Sequence, residues 1–420
     1  IAVGCGAGRL AQPSLGTVGF VASWRYLLRR VCPASSGLPC PAGSEARLRG
    51  RTAAAASLAD LDIDAVTSLV QREIGSRNMT LGRSQHGGQL HERLLLATSA
   101  PMVLALMEAA DPATVSVDDV ALACRRIALR HNTITDDMVE DWRFQSFMRT
   151  ARSVIGSSRL EPHQVASLLW GIASLRMPLP EVQDLLPVVC SAVREVAPDM
   201  NMQNLSSSFS SVAKLYQTTE DAAGAVAPLL DEVVMKAEYL DVSQISTCVW
   251  AAGELELNDE QIYKLTGALL RELTVDQLQR FRSRELANLV WGLANLGERD
   301  EGLLRAVARI VAIAAVDMPQ KEASLDLPML ISGFQRLMYQ DENLLRCVAE
   351  RLLKRNMLRR TMNDWGLCAL AWAWPDVGDD LLTGSVRSVR EVLDLQLERK
   401  KLTSRDVERS VLGPSRWRDE

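Results

Sequence analysis

The sequence predicts an all-α protein, an α-α superhelix (solenoid) of about six to seven two-helix repeats with a period of about 40 residues. Two observations predict this class. One segment recurs at nearly constant spacing along most of the chain, and its apolar residues follow the period of an α-helix. The chain has 420 residues, of which 47% are hydrophobic, so it is able to bury a large core.

The recurrent segment is clearest at residues 286–296, which read LANLVWGLANL. Copies of it begin at positions 120, 165, 205, 245, 286, 327 and 365, and the last is among the weaker ones. Successive starting positions differ by 45, 40, 40, 41, 41 and 38. Such steady spacing predicts that each copy is the first helix of one repeat.

The spacing of apolar residues inside each copy predicts a helix. Counting the first residue as position 0, apolar residues occupy positions 0, 3, 4, 7 and 10, which share one side of a helix. Position 6 is always small: Gly171, Ser211, Ala251, Gly292, Gly333 and Ala371. A small residue at the edge of an apolar face allows close approach of a neighbouring helix. We expect this packing to offset the cost of glycine in a helix, up to about 1 kcal/mol.

A second apolar segment follows each copy, as at residues 182–196, 222–237 and 259–273, and short polar or proline-bearing turns separate the two. One helix pair cannot bury both of its apolar faces, so neighbouring pairs are expected to stack into a continuous core. We therefore expect an N-terminal helical cap at 59–113, the repeat solenoid at 114–397 and a C-terminal tail at 398–420.

The segment 1–58 is expected to form a disordered leader. Residues 1–59 hold seven arginines and one acidic residue, a net charge of +6, so the rest of this chain of net charge −5 carries −11. A segment rich in Arg, Ser and Ala and poor in acids has the composition of an organellar transit peptide. A low-complexity leader without a targeting role is the alternative.

Composition and motifs argue against several classes of protein. The eight cysteines form no C-x-x-C pair and most lie in apolar stretches, which predicts buried reduced thiols without a structural metal. The longest uncharged apolar run of the repeats, 310–316, is far shorter than the roughly 20 residues of a membrane helix. The four histidines show no metal-binding spacing, and nucleophile and phosphate-loop motifs are missing. We expect neither an enzyme, nor a cofactor, nor membrane insertion.

The motif NLVWGLANLG at 288–297, with its relatives at Ser167 and Thr247, resembles the helical repeat of octotricopeptide proteins and of the FAST-kinase-domain family. The resemblance covers roughly residues 114–397. It implies a solenoid that acts on RNA in mitochondria or plastids. Many members carry a C-terminal RAP domain, which we do not expect in the residues after the last repeat.

Positions 2, 5 and 9 lie on the side of the first helix opposite its apolar face. Stacked repeats would align them into a stripe in which polar groups hydrogen-bond bases and tryptophans stack on them. The candidate RNA-binding residues are Ser167, Trp170, Ser174, Ser207, Ser210, Lys214, Thr247, Trp250, Asn288, Trp291, Asn295 and Arg336. Two other interpretations stay open: the tryptophans wedge between repeats, and the polar residues form a solvated face.

Basic residues close to the repeats are candidates for phosphate contact: Arg125, Arg126, Arg282, Arg284, Arg355, Arg359 and Arg360. Phosphate neutralisation drives much of nucleic-acid binding, so a body of net charge −11 restricts any RNA groove to local basic patches. A solvated charged face is the alternative for each cluster.

The sequence thus favours an organellar protein that binds single-stranded mRNA or rRNA and acts in RNA processing, stability or translation. We expect it in the mitochondrial matrix rather than the plastid, with ribonucleoprotein or ribosomal proteins as further partners. The alternative is a protein-interaction scaffold, or a structural subunit of an organellar ribosome or another large assembly.

Overall fold

The computed structural model describes residues 88–129, 141–175, 184–216, 220–374 and 384–411, and all regular structure in these ranges is helical. The expected leader lies outside the described residues, as does the first half of the expected cap. The α-helices are, in chain order, α1 Gly88–Leu96, α2 Ala100–Glu108, α3 Val117–Leu129, α4 Trp142–Ser157, α5 Pro162–Leu175, α6 Leu186–Val196, α7 Met202–Tyr216, α8 Ala223–Met235, α9 Val242–Gly253, α10 Asp259–Leu269, α11 Val275–Leu278, α12 Ser283–Leu296, α13 Glu301–Ala315, α14 Gln320–Arg336, α15 Glu342–Leu353, α16 Met357–Arg360, α17 Asp364–Ala373, α18 Gly384–Lys400 and α19 Ser404–Val411.

The helices pack in two series. In the first series each helix contacts the next one, in the order α1, α3, α5, α7, α9, α12, α14, α17 and α19. The second series contains α2, α4, α6, α8 and α10, which pack in that order, and then α11, α13, α15 and α18. Apolar side chains such as Leu169, Phe209, Val249 and Leu289 are fully buried. The seven recurrent segments found in the sequence all belong to the first series.

Backbone hydrogen bonds give most first-series helices the same starting geometry. The amide of position 0 donates to the carbonyl of the residue just before the helix, as in Ile245 to Asp241 at 2.9 Å and Leu286 to Arg282 at 3.0 Å. Side chains add to this start, since the Asp241 carboxylate accepts a hydrogen bond from the Gln244 amide at 2.8 Å. The recurrent segment therefore begins one turn inside each of these helices.

The same hydrogen bond corrects the register of the last copy. In α17 the Leu367 amide donates to the Asn363 carbonyl at 3.1 Å, and Leu367 is fully buried whereas Trp365 is half-buried, so position 0 is Leu367 and not Trp365. Position 5 is then Trp372 and the small position 6 is Ala373. The sequence pattern placed the start of this copy two residues too early. The reason is that Trp365 is apolar but lies in the first turn of the helix, beside the cap.

Glycines at position 6 allow consecutive first-series helices to touch backbone to backbone. A Cβ atom on Gly292 would lie 2.8 Å from the Trp250 amide nitrogen, and one on Gly333 would lie 3.3 Å from that of Trp291. A Cβ on Gly171 would lie 2.8 Å from the Cys124 Cβ. Position 6 of each helix thus faces positions 4 and 5 of the helix before it, and the predicted role of the small residue is confirmed at these three glycines.

Three further features bear on the sequence expectations. The segment expected to be a C-terminal tail contains α19, which packs against α17. Four of the five described cysteines are buried: Cys124, Cys190, Cys248 and Cys368. Burial raises the pKa of the Cys124 thiol to about 12.

None of the described helices has the length and apolar character required to cross a bilayer.

Substitution of Gly292 by Ala tests the backbone contact between α9 and α12. Helix propensity alone would stabilise the variant by up to about 1 kcal/mol, but the added methyl group meets the α9 backbone. Overpacking of this kind costs about 1–3 kcal/mol, so we expect a lower urea midpoint in far-UV circular dichroism.

The matched control is Gly267→Ala in α10, because a Cβ at this exposed glycine meets no atom within 4 Å. We expect this control to be as stable as the parent or more so. A Gly292→Ala protein as stable as the control would contradict the close helix contact.

Candidate nucleic-acid interface

The tryptophans at position 5 are half-buried. Trp170, Trp250 and Trp291 each pack against the apolar core while part of the indole stays accessible. For Trp250 and Trp291 the position explains this, because position 5 adjoins the glycine contact with the next helix of the series. The tryptophans therefore pack between helices, and part of each side chain stays accessible.

A cation from a neighbouring first-series helix lies over each of these three rings. The Arg125 guanidinium carbon is 5.3 Å from the centre of Trp170, and the Lys214 Nζ is 5.7 Å from the centre of Trp250. In both pairs the preceding helix supplies the cation. Such contacts contribute about 0.5–1 kcal/mol at exposed sites.

The third ring, Trp291, receives its cation from the following helix, because the Arg336 guanidinium carbon lies 4.4 Å from the ring centre. Lys214 and Arg336 both occupy position 9 of their copies, and Arg125 occupies position 5 of the first copy. Sequence reasoning selected these cations and rings separately and missed their pairing. One sequence signal could have revealed the pairing. It is a basic residue at position 5 or 9 of the copy that comes before or after a copy with tryptophan at position 5.

Trp291 belongs to a hydrogen-bonded cluster that joins α9, α12 and α14. Its Nε1 donates to Glu254 Oε1 at 3.1 Å, and Asn295 Nδ2 donates to the same oxygen at 3.3 Å. Arg336 Nη1 donates to Asn295 Oδ1. The Trp365 ring meets Trp291 edge-on, with centroids 6.2 Å apart. We call Glu254, Trp291, Asn295 and Arg336 the Trp291 cluster.

The Trp291 cluster is more buried than its place in the stripe predicts. Asn295 is 7% exposed and Arg336 is 9% exposed. The cause is the close contact of α9 and α12, since a Cβ on Gly253 would lie only 3.0 Å from the Asn295 Cβ. Burial lowers the pKa of Arg336 to about 10, an effect that the Glu254 charge opposes, so the guanidinium stays protonated at neutral pH.

Two hydroxyl groups of the stripe bond to their own helix. Ser210 is buried and its Oγ donates to the Ser207 carbonyl at 3.0 Å. Thr247 Oγ1 donates to the Ser243 carbonyl at 2.7 Å. Bonds of this type satisfy a hydroxyl without leaving the helix surface. Four further polar members of the stripe are half-buried: Ser167, Ser174, Ser207 and Asn288.

One of the phosphate-contact candidates is engaged by a buried acid. Arg284 Nε lies 3.0 Å from Asp326 Oδ1, and Ser283 Oγ donates to Asp326 Oδ2 at 2.7 Å. Asp326 is 1% exposed and lies in α14, whereas Arg284 is half exposed in the first turn of α12. This arginine therefore neutralises a carboxylate inside the protein, which leaves it less suited to a phosphate.

The remaining candidates lie in different places. Arg125 and Arg126 are in α3, the first exposed and the second half-buried, and Arg282 is exposed at the start of α12. Arg359 and Arg360 are exposed in α16, which packs against α15 and α18 and so lies with the second series. The side chain of Arg355 lies outside the described part of the molecule. Of this set, the structure brings Arg125 to a tryptophan of the stripe.

Within the described ranges, no group of three or more His, Cys, Asp and Glu side chains is arranged to hold a metal ion. The chemistry that these residues offer at the stripe is thus aromatic stacking, cationic charge and a small number of amide and hydroxyl groups.

Asp326 gives the stability of the protein a testable pH dependence. Burial raises the pKa of this carboxyl above the ordinary 3.8, although the Ser283 hydroxyl and the Arg284 charge oppose the rise. An acid with a raised pKa in the folded state costs stability as the pH increases through that pKa. We therefore expect Asp326→Asn to gain stability relative to the parent between about pH 4 and pH 7.

Urea midpoints of both proteins across this pH range measure the effect. The exposed Asp317→Asn variant controls for the change in net charge. The opposite result is that Asp326→Asn loses stability relative to the parent as the pH increases. It would show that the ion pair with Arg284 stabilises the Asp326 carboxylate by more than its burial destabilises it.

The comparisons with known proteins add no relative. No protein-family model matches the chain, and no curated protein is significantly similar to it in sequence.

Proposed function

We propose that this chain is a helical-repeat protein that binds single-stranded RNA across the outer edge of its first helix series. The observation that carries the proposal is the pairing of a half-buried tryptophan with an exposed cation from the preceding helix, which occurs at Arg125 with Trp170 and again at Lys214 with Trp250. The two pairs belong to helices of one packed series.

The proposal includes a solenoid with a period of about 40 residues. Its supports are the serial contacts of the first-series helices and the glycine contact that recurs at Gly171, Gly292 and Gly333. The first two copies start 45 residues apart. With position 0 of the last copy at Leu367, each later copy starts 40 or 41 residues after the one before it. A repeat of this kind presents equivalent side chains at regular steps.

The chemistry of the pairs fits a single strand. An unpaired base stacks on an indole ring with a gain of about 1–3 kcal/mol, and a nearby cation neutralises phosphate charge. Bases inside a duplex cannot stack on a protein ring in this way. The acidic balance of the chain outside its leader restricts binding to this local combination of ring and cation.

We place this activity in an organelle, with the mitochondrial matrix ahead of the plastid, on the basis of the arginine-rich, acid-poor residues 1–59. The resemblance to octotricopeptide and FAST-kinase-domain repeats supports the same assignment. The substrates would be mRNA or rRNA, and the role would be processing, stability or translation through binding, without catalysis by this chain.

The second candidate function is a scaffold or structural subunit of an organellar ribosome or another large assembly. Exposed apolar side chains on the second series favour it: Met235 is 73% exposed, Tyr263 78% and Ile313 79%. Exposed apolar side chains mark a protein-binding surface where they form one contiguous patch. The two functions are compatible, because they use different helix series.

Binding of the full chain to a fluorescent single-stranded oligoribonucleotide tests the main proposal. We expect affinity to fall with salt, with the logarithmic slope growing by about 0.7 for each phosphate neutralised. A duplex of the same sequence should bind more weakly. Arg359→Glu together with Arg360→Glu serves as a control at a basic patch away from the tryptophans.

Equal affinity for single strand and duplex would contradict the proposal, as would the loss of binding in the α16 control alone. A stoichiometric protein complex from the organelle without crosslinked RNA would favour the scaffold.

A further inference from the structure

We propose that RNA contacts only the part of the stripe between α3 and α9, through two composite sites. At each site a tryptophan ring stacks one base, and the cation of the preceding helix binds an adjacent phosphate: Trp170 with Arg125, and Trp250 with Lys214. The Trp291 cluster is a structural clamp that takes no base. This inference rests on the proposed function and assigns the ligand to particular residues of it.

The two composite sites have the accessibility that a ligand needs. Arg125 and Lys214 are exposed, and their rings are half-buried. Their cations lie 5.3 and 5.7 Å from the ring centres, which is near the outer limit of about 6 Å for such contacts. A ring contact at that distance is weak, so a base can compete for the ring while the neighbouring cation binds the phosphate.

Trp291 is also half-buried, but other side chains already occupy its face, its Nε1 and its edge. The face of Trp291 is covered by Arg336 at 4.4 Å, its Nε1 is bonded to Glu254, and its edge meets Trp365. Arg336 is 9% exposed and donates to Asn295. Displacement of this guanidinium by a base would leave Asn295 without that bond and would move a buried charge, which is costly.

The helix between the two composite sites has serine in place of tryptophan. Ser210 occupies position 5 of α7 and is buried, so α7 contributes its exposed position 9 cation, Lys214, and no ring. Packed helices are about 8–10 Å apart, so α5 and α9 present their rings roughly 16–20 Å from each other. We therefore expect two separated stacked bases, with the intervening nucleotides held by charge.

Salt-dependent binding of the full chain to single-stranded oligoribonucleotides tests this assignment. Arg125→Gln and Lys214→Gln are surface changes that should preserve folding, and each should reduce the logarithmic salt slope by about 0.7. The matched control is Lys264→Gln, an exposed lysine on α10 paired with Glu260, which should leave the slope unchanged.

Loss of stacking is measured with Trp170→Leu and Trp250→Leu, for which we expect affinity to fall roughly 5- to 150-fold, the equivalent of one stacked base. The variants Trp170→Phe and Trp250→Phe keep an aromatic ring and should recover part of this loss. Trp291→Leu should lower the thermal midpoint, and the affinity of the folded protein should fall much less than with Trp250→Leu.

The outcomes separate this inference from the proposed function. If the parent binds RNA and the Arg125 and Lys214 variants keep its full salt slope, the assignment to these sites is overturned and RNA binding stands. A loss of affinity at Trp291 as large as that at Trp250 also overturns it. If the parent binds no RNA, both proposals fail. The assignment to the two composite sites is supported if the Arg125 and Lys214 variants reduce the salt slope and the Trp170 and Trp250 variants lower the affinity.

Discussion

The backbone contact between consecutive first-series helices is the constraint on which the rest of this structure depends. At Gly292 and Gly333 the helix surface has no side chain, so the preceding helix approaches to van der Waals distance of the backbone. That approach fixes the rotation of each helix about its axis. Position 5 is then held at the outer edge of the helix contact, where a large ring fills the remaining space.

The same contact explains why equivalent positions differ in accessibility. Between α9 and α12 two glycines face each other, since a Cβ on Gly253 would lie 2.9 Å from the Gly292 Cα. Asn295 fits into this close interface and links Glu254 to Arg336, which buries the end of the stripe. On α7 the corresponding position 9 is Lys214, whose ammonium remains at the surface beside Trp250.

The sequence predicted the helices and the role of the small residue at Gly171, Gly292 and Gly333, because these depend on local periodicity. It misplaced the start of the last copy, because Trp365 and Leu367 are both apolar and the Asn363 cap decides between them. It did not predict the ring and cation pairs, since Arg125 and Trp170 belong to different repeats. The burial of Arg336 likewise depends on three helices at once, which no single segment encodes.

Mapping of protein-RNA crosslinks tests the central claim of this account most directly. A single-stranded RNA containing photoreactive 4-thiouridine would be irradiated with the full chain, and the adducts located by mass spectrometry. We expect adducts in 162–175 and 242–253, the segments of Trp170 and Trp250. Adducts confined to the Trp291 cluster, to α16 or to the second helix series would contradict it.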